Sequence, residues 1–339
     1  MTTTAADLRP RLGAKDREID EAMALGALPR RSFGAHKWGV GGLVIVGGAP
    51  GFAGAPTLCA MAAGRSGAGI VHVAIPHGLS AVVASAVPET VAILLPHGES
   101  AATGRRAVEL IEAKLEKSAA MVVGPGLGQD ETADALLSAV FGFGGARGTI
   151  GFGSSAGGAE ASGDGGLVGR LDKPLVIDAD GLNWLVKHEG WWDRLPEGRA
   201  ILTPHVGEMA RLLDRPVEEV TADPLATVRD AARRWRQTVV LKYGYTAASD
   251  GERTVVADDA PFSLATAGSG DVFAGMIGAF LAQQVAPLEA ATLSIYVGMR
   301  AARRVEQRVG TLGLVASDLP LAIAEELALL ESKQEVERG

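Results

Sequence analysis

The chain has 339 residues, and its 32 basic and 40 acidic side chains leave a formal charge of −8 at pH 7, which gives no basic surface for nucleic acid. The polar N-terminus lacks the apolar core of a signal peptide, and no apolar run approaches the roughly 18 residues that span a bilayer, so we expect a cytoplasmic protein without a membrane partner. The single cysteine, Cys59, excludes an internal disulfide and a zinc site built from cysteines.

The length favours two domains and is also compatible with one large α/β domain, and we expect less ordered ends. Residues 1–28 form a polar lead-in with one expected helix near 15–25, and residues 29–330 carry the alternating apolar segments of the domain. Residues 142–170 are dominated by Gly, Ala and Ser without periodicity, which predicts a flexible surface insertion. Residues 331–339 are polar and are expected to fray.

Two strand–loop–helix units define the first half of the domain. The apolar run 43–46 ends in the glycine-rich loop Gly47–Gly54, and the run 120–123 ends in a second loop, Gly124–Gly128. Helices rich in small or apolar residues follow both loops, and further strands alternate with helices along the chain. This alternation predicts a doubly wound, mostly parallel sheet flanked by helices. The first loop lacks the G-x-G-x-x-G spacing, so it favours close approach of a ligand rather than a dinucleotide fingerprint.

Polar residues follow the later strands where each of them ends. Asp178 and Asp180 come after the strand 175–177, and we favour a site role for Asp178, whereas Asp180 is equally compatible with a helix cap. Glu208 lies in the first turn of a predicted helix, as a helix-dipole acid or an outer ligand of a metal. Lys242 ends another β-branched run. The carboxyl ends of parallel strands meet at one edge, so these groups are expected to converge.

The last motif is Gly268-Ser-Gly-Asp271, which leads into an apolar helix over 272–282. A glycine turn at a helix N-terminus offers free N–H groups to a phosphate. Asp271 alone is as compatible with a first-turn acid as with a catalytic base. With the other motifs it favours phosphoryl transfer, with a base at the hydroxyl and Mg²⁺ held by nearby acids through water. The P-loop and protein-kinase motifs are absent.

The order of these motifs resembles the ribokinase-like NAD(P)H-hydrate dehydratases, over about residues 29–330. The resemblance implies a three-layer sandwich with a central, mostly parallel sheet. It also implies a repair reaction in which ADP or ATP phosphorylates the ring hydroxyl of the S epimer of NADHX or NADPHX, and loss of phosphate restores NADH or NADPH. Homo-oligomers and functional pairing with a separate NAD(P)HX epimerase are implied as well.

The resemblance also assigns roles to single residues. Asp271 is implied to be the base and a substrate contact, and the other substrate contacts are Ala55, Gly126 and His205. The implied anion hole is formed by Gly268, Ser269 and Gly270. The implied nucleotide contacts are Lys242, Tyr243, Gly244, Tyr245, Thr246 and Gly270. Metal contacts through water are expected from Asp178 and Glu208.

One residue departs from the family pattern in a place that matters for function. Tyr243 directly follows Lys242, where the family usually has glycine, and this bulky side chain challenges the nucleotide contact of that loop. Two other hypotheses stay open at this point. A hydroxymethylpyrimidine or hydroxyethylthiazole kinase would stop after phosphorylation, and a regulatory protein would bind nucleotide without turnover.

Overall fold

The structure is a computed structural model that describes residues 12–13, 16–31, 34, 36–143, 166–257 and 260–336. The strands in this part of the chain are β1 (Asp16–Glu18), β2 (Gly42–Val46), β3 (Ile70–Pro76), β4 (Val91–Leu95), β5 (Ala120–Val123), β6 (Leu175–Ile177), β7 (Ala200–Leu202), β8 (Thr238–Lys242), β9 (Thr246–Ser249) and β10 (Thr254–Ala257). The α-helices are α1 (Glu21–Ala27), α2 (Lys37–Val40), α3 (Gly54–Arg65), α4 (Ser80–Ala86), α5 (Ala101–Leu115), α6 (Glu131–Phe141), α7 (Gly166–Leu171), α8 (Asp180–Leu185), α9 (Val206–Leu213), α10 (Val217–Ala222), α11 (Pro224–Trp235), α12 (Ser269–Ala282), α13 (Pro287–Gly313) and α14 (Leu319–Val336).

All ten strands join one sheet in the order β1-β10-β9-β8-β7-β6-β5-β2-β3-β4. In this order, each strand from β8 to β4 is parallel to the next. Strand β9 runs antiparallel to both β8 and β10. The chain builds outward from β2 to β4, then returns to place β5 on the other side of β2. The order therefore reverses between β2 and β5, which is where open α/β sheets bind ligands, beyond the carboxyl ends of the strands.

Helices cover both faces of the sheet, and this confirms the predicted sandwich of three layers. Alternate residues of β2 point to opposite faces, so Leu43 and Ile45 pack in one apolar core while Val44 and Val46 pack in the other. The first core includes α3, α12, α13 and α14, and the second includes α5, α6, α8, α9 and α11. Within the described residues, we find no helix whose apolar stretch would reach across a bilayer.

Helix α12 lies directly on the sheet and against α3 because glycines remove two side chains from its contact faces. A Cβ at Gly275 would lie 2.1 Å from the carbonyl oxygen of Cys59 in α3. A Cβ at Gly278 would lie 2.5 Å from a methyl group of Val122 in β5. These close approaches fix the N-terminus of α12 at the reversal point of the sheet.

The N-terminal lead-in is part of the domain, so the predicted boundary at residue 29 is wrong. Strand β1 pairs parallel with β10, from Asp16 opposite Thr254 to Glu18 opposite Val256. Helix α1 then buries Ala24 and Ala27 in the core that contains α13. Strand β10 pairs antiparallel with β9, and β9 is a strand that the sequence did not predict.

Two other predicted boundaries also change. The prediction of a flexible surface insertion over 142–170 is wrong at its C-terminal end, where α7 buries Leu167 and Val168. Residues 144–165 lie outside the described residues. The expected frayed tail over 331–339 is wrong for 331–336, because α14 continues to Val336 and Lys333 forms an ion pair of 2.6 Å with Glu21 of α1. Residues 337–339 lie outside the described residues.

Gly275→Ala should destabilise the protein by about 1–3 kcal/mol, because its methyl group overlaps the backbone of α3. The matched control is Gly64→Ala in α3, where an added Cβ meets nothing within 4 Å. That exposed helical glycine should gain about 0.5–1 kcal/mol as alanine. The midpoints of urea unfolding report both changes, and equal effects at the two positions would contradict the close packing of α12 on α3.

Candidate active site

The two glycine-rich loops touch each other at the reversal point between β2 and β5. The N–H of Gly48 donates to the carbonyl of Pro125 at 2.9 Å. Gly126 has φ +62°, and a Cβ there would lie 2.8 Å from the carbonyl oxygen of Phe52 and 2.9 Å from the Cβ of Ala55. The two expected substrate contacts, Ala55 and Gly126, are therefore neighbours, and a side chain at 126 would close the space between the loops.

A buried ion pair ties the next strands together. Asp178 follows β6 and is 2% exposed, and its Oδ1 accepts hydrogen bonds from Thr203 Oγ1 at 2.6 Å and from Lys242 Nζ at 3.0 Å. Burial opposes the charge of Lys242, but Asp178 and Glu208 outweigh it and raise the pKa of the Lys242 ammonium. A buried carboxylate needs such partners, since an unpaired one is very costly.

Sequence reasoning left Thr203 without a role, although the strand register contains the signal. Ile177 of β6 pairs in parallel with Leu202 of β7, so the residues that follow them, Asp178 and Thr203, emerge side by side. A hydroxyl one position beyond a neighbouring parallel strand is thus placed to hold the carboxylate. The fully buried Thr203 fixes Asp178 so that it meets Lys242.

Asp180 fastens the second glycine loop to α8. Its Oδ2 accepts a hydrogen bond from the N–H of Gly128 at 2.9 Å. Ala179, between the two acids, has φ +49° and ψ −117°, a conformation that L-residues rarely adopt. This strained residue turns Asp178 toward Lys242 and Asp180 toward the loop. The role of Asp180 is therefore loop positioning in addition to its place in the first turn of α8.

The turn before α12 leaves unpaired backbone donors beside Lys242. The Ser269 hydroxyl lies 2.7 Å from the carbonyl of Leu264 and 2.9 Å from that of Thr266, so it is engaged within the turn. Among the hydrogen bonds of the described residues, none uses the N–H of Gly270 or of Asp271. A Cβ at Gly270 would lie 3.4 Å from Lys242 Nζ. Free amides, a helix N-terminus and an ammonium group together form a site for an anion.

Asp271 lies in the first turn of α12, within electrostatic range of this cluster. Burial, with the negative charge of Asp178, raises the pKa of the Asp271 carboxyl to about 7, although Lys242 opposes the shift. A carboxyl that titrates near neutrality is suited to accept a proton from a substrate hydroxyl. The predicted base therefore lies with the other strand-end groups and away from bulk solvent.

His205 and Glu208 form a reciprocal cap on α9. His205 Nδ1 accepts from the N–H of Gly207 at 3.0 Å and of Glu208 at 3.3 Å, while Glu208 accepts from the N–H of His205 at 2.9 Å. Burial raises the pKa of Glu208 to about 7, and burial with the nearby Lys242 charge lowers the pKa of His205. Because Nδ1 is engaged, only Nε2 of His205 remains for a ligand.

A cavity of about 570 Å³ opens beside Lys242 and Gly270. Five of the six expected nucleotide contacts line it: Lys242, Tyr243, Gly244, Thr246 and Gly270. Tyr245 does not, because its ring is 3% exposed and packs in the core on the other side of the sheet. The aromatic residues Phe262 and Phe273, which sequence reasoning did not assign, line the same cavity.

The described residues contain no group of three His, Cys, Asp or Glu side chains that is arranged to hold a metal ion. Asp178 and Glu208 are both buried near Lys242, and Oδ1 of Asp178 already accepts two hydrogen bonds. The described residues alone therefore offer no complete metal cage. The two carboxylates fit an ion that keeps most of its water, as Mg²⁺ does when it accompanies phosphates.

Fold and site together define a doubly wound α/β protein whose strand ends carry unpaired amides and an ammonium group beside a carboxyl with a pKa of about 7. The family model described as NAD(P)H-hydrate dehydratase matches residues 43–143 and 167–325. The chain belongs to the NAD(P)H-hydrate dehydratase family, which confirms the family that the motifs indicated.

Curated relatives agree with this assignment. The chain is 36% identical over 308 residues to the bifunctional NAD(P)H-hydrate repair enzyme of Salinibacter ruber, covering 89% of this chain and 51% of that protein. It is 34% identical over 294 residues to the ADP-dependent (S)-NAD(P)H-hydrate dehydratase of Neisseria meningitidis, covering 85% of this chain and 86% of that protein. The chain therefore spans about half the length of the bifunctional relatives and most of the length of the dehydratase.

Solved structures confirm the fold. A ribokinase-like superfamily protein from Enterococcus faecalis matches with a TM-score of 0.74 at 20% identity, covering 94% of this chain and 98% of that chain. The ADP/ATP-dependent NAD(P)H-hydrate dehydratase of Bacillus subtilis, co-crystallised with ATP/Mg²⁺, matches with a TM-score of 0.71 at 20% identity. The match covers 95% of this chain and 100% of that chain. At this identity the structural match establishes the architecture alone.

Asp271→Asn should raise thermal stability at pH 8. The folded state holds the Asp271 proton up to about pH 7, whereas the unfolded state releases it near the ordinary value of 3.8. The carboxylate therefore lowers the free energy of unfolding as pH rises between these values, and asparagine removes this loss. Melting temperatures at pH 8 and pH 5 measure the gain, which should shrink at the lower pH.

The control for this prediction is Glu218→Gln in the first turn of α10, an exposed acid outside the site. It removes a first-turn carboxylate without removing a buried one, so no pH-dependent gain is expected. An equal gain in both variants, or a loss at pH 8 in Asp271→Asn, would contradict the environment assigned to Asp271.

Proposed function

We propose that the protein dehydrates the S epimer of NADHX or NADPHX to NADH or NADPH, with ADP or ATP as phosphoryl donor. The observation that carries this proposal is the meeting of Asp271, Lys242 and the free amides of the α12 N-terminus beside the two glycine loops. The names of the Neisseria and Bacillus relatives support the substrate class and the donor.

The site suits a dehydration that proceeds through phosphorylation. Asp271 takes the proton of the ring hydroxyl while the oxygen of that hydroxyl forms a bond to the terminal phosphorus of the donor. The bond from that phosphorus to the leaving nucleotide breaks. Lys242 and the unpaired amides of Gly270 and Asp271 balance the negative charge of the transferred group. The phosphate then leaves with the electrons of its carbon–oxygen bond, and the ring loses a proton to form the double bond.

Three accompanying features are part of the proposal. Mg²⁺ would arrive with the nucleotide and neutralise phosphate charge, and Asp178 and Glu208 would hold its water molecules. A separate epimerase would supply the S epimer, in line with the bifunctional repair enzymes that match over about half of their length. A homo-oligomeric assembly and a cytoplasmic location stay predictions.

The decisive experiment mixes the protein with acid-generated NADHX, Mg²⁺ and either ADP or ATP, and follows the NADH absorbance band. Recovery of NADH with a nucleotide and not without it is the expected result, and comparison of the two nucleotides identifies the donor. A stable phosphorylated product would instead indicate a small-molecule kinase. Nucleotide binding without any reaction would indicate a regulatory protein.

Asp271→Asn should lower the rate of NADH recovery by about 10²–10⁴-fold, because the amide cannot accept the proton. Nucleotide affinity should stay within a few-fold, since the amides and Lys242 are unchanged. In the unmodified enzyme the rate should rise with pH as Asp271 ionises near pH 7. An unchanged rate in the variant would remove Asp271 from its assigned role.

His205 has two roles that substitutions can separate. His205→Asn keeps a side-chain acceptor for the α9 cap, whereas His205→Ala removes it and should cost about 1 kcal/mol of stability. Both variants lose Nε2, so both should raise KM for the hydrated nucleotide if His205 contacts it. Urea unfolding and steady-state kinetics measure the two effects. An unaltered KM in His205→Asn would leave His205 with the cap alone.

A further inference from the structure

We propose that an open groove beyond the carboxyl ends of β3 and β4 holds the adenosine end of the hydrated dinucleotide, and that Arg106 binds its 2′-phosphate there and favours NADPHX over NADHX. The inference rests on the proposed function, and it concerns the substrate and not the phosphoryl donor. NADPHX differs from NADHX by one phosphate group on the adenosine ribose. A protein that distinguishes the two therefore needs a side chain that recognises this phosphate.

The groove lies where β3 and β4 end, and its volume is about 750 Å³. His77 follows β3 and His97 follows β4, and both are exposed at the groove. Arg106 and Leu110 line it from α5, since residues four apart in a helix lie on one face. Leu94 of β4 lines it as well, so an apolar surface for the adenine ring lies next to the polar groups.

A smaller cavity of about 40 Å³ lies between this groove and the reacting end of the site. It is lined by Ala49 of the first glycine loop and Leu127 of the second, and also by Pro96 and His97. The last two residues line the groove too, so the two spaces adjoin. A path along the sheet edge thus begins at the loops that carry the expected substrate contacts and ends at Arg106.

The dinucleotide is long enough to follow this path. Neighbouring strands lie about 4.8 Å apart, so the three steps from β5 through β2 and β3 to β4 span roughly 14 Å. An extended dinucleotide, with two riboses joined by a pyrophosphate, covers such a distance. On the other side of the reacting centre, the cavity beside Lys242 and Gly270 is the place of the phosphoryl donor in the proposed reaction. The adenosine end of the substrate therefore points toward β4.

The charges along the path favour a phosphate at its outer end. None of the described residues that line the groove is Asp or Glu. Asp130 lines the smaller cavity instead, where it caps α6 through the N–H of Ala133, and Glu99 shares a hydrogen bond with Glu131 of α6. Sites that select the form without the phosphate offer a carboxylate to the 2′-hydroxyl, whereas an arginine accommodates the 2′-phosphate. The groove presents the second arrangement.

Arg106 keeps most of its hydrogen-bond donors for a phosphate. Its Nη1 lies 2.7 Å from Oε2 of Glu109, and the two side chains are 62% and 61% exposed. Such an exposed pair contributes little to stability, so a bound phosphate replaces it at small cost. The guanidinium has five N–H donors, and it binds a phosphate through two of them side by side. A ring N–H of His77 or His97 adds a donor at the same groove.

The test compares the unmodified protein with Arg106→Gln and with Arg105→Gln. Arg105 is a matched control, because it is an exposed arginine of the same helix and is not among the described residues that line the groove. Steady-state rates are measured for the S epimers of NADPHX and NADHX with saturating donor. Binding of NADPH and NADH is measured separately through the fluorescence of the reduced ring.

The unmodified protein should show a higher kcat/KM with NADPHX than with NADHX. Arg106→Gln should lower kcat/KM for NADPHX about tenfold through KM, and it should reduce the preference by the same factor. Arg105→Gln removes the same charge and should keep the preference. Added salt should narrow the preference of the unmodified protein, because the phosphate contact is exposed to solvent.

Several results would overturn the inference. Equal kcat/KM for the two substrates in the unmodified protein would do so, and so would a preference that Arg106→Gln retains. An equal loss of preference in Arg105→Gln would show a general effect of charge instead of a bound phosphate. A lower kcat with unchanged KM in Arg106→Gln would also contradict it, because a contact at the adenosine end acts on binding.

The proposed function fails by a different observation. Tighter binding of NADPH than of NADH that depends on Arg106, without dehydration of NADHX or NADPHX, would overturn the dehydration and leave the groove intact. Dehydration of both substrates at a ratio that Arg106→Gln does not change would do the reverse.

Discussion

The buried ion pair between Asp178 and Lys242 is the interaction on which the site depends. Asp178 is placed by β6 and held by Thr203 from β7, while Lys242 ends β8. The pair therefore ties three parallel strands at their carboxyl ends, and it sets the ammonium group beside Gly270 at the start of α12. The close packing of α12 on α3 and β5 supplies the other half of this arrangement, since it brings the helix terminus to the ammonium.

Burial, together with the negative charge of Asp178, explains why the pKa values of two acids near this pair are raised. Asp178, Glu208 and Asp271 all interact electrostatically with Lys242, and burial weakens the screening of these charges by water. The pKa values of Glu208 and Asp271 rise to about 7 as a result. Such a cluster lowers stability at neutral pH, and the large cores on both faces of the sheet offset this cost. A polyphosphate that enters needs its own charge balanced by amides, by the ammonium group or by a cation that accompanies it.

The elements that the sequence predicts well are those whose apolar runs stop at glycine or at a polar strand end. Strands β2 to β8 and the helices after the two glycine loops are of this kind. The three missed features lack such a pattern: β1 is Asp16-Arg-Glu18, and its pairing is set by the free edge of β10. Strand β9 is Thr-Ala-Ala-Ser, without large apolar residues. The polar end of α14 is stabilised by Lys333 pairing with Glu21, a contact 312 residues apart in sequence.

The site follows from the sequence as far as topology alone determines it. Parallel strands bring their carboxyl ends to one edge, so Asp178, His205, Lys242 and Gly270 could be grouped before any side chain was placed. Side-chain direction could not be derived in the same way. Tyr243 and Tyr245 lie two residues apart, and both pack with the core that contains α11, where their rings meet edge to face with centroids 5.7 Å apart. The sequence marks Tyr243 as an obstacle in the nucleotide loop, but it cannot show that this side chain packs beside the buried Tyr245.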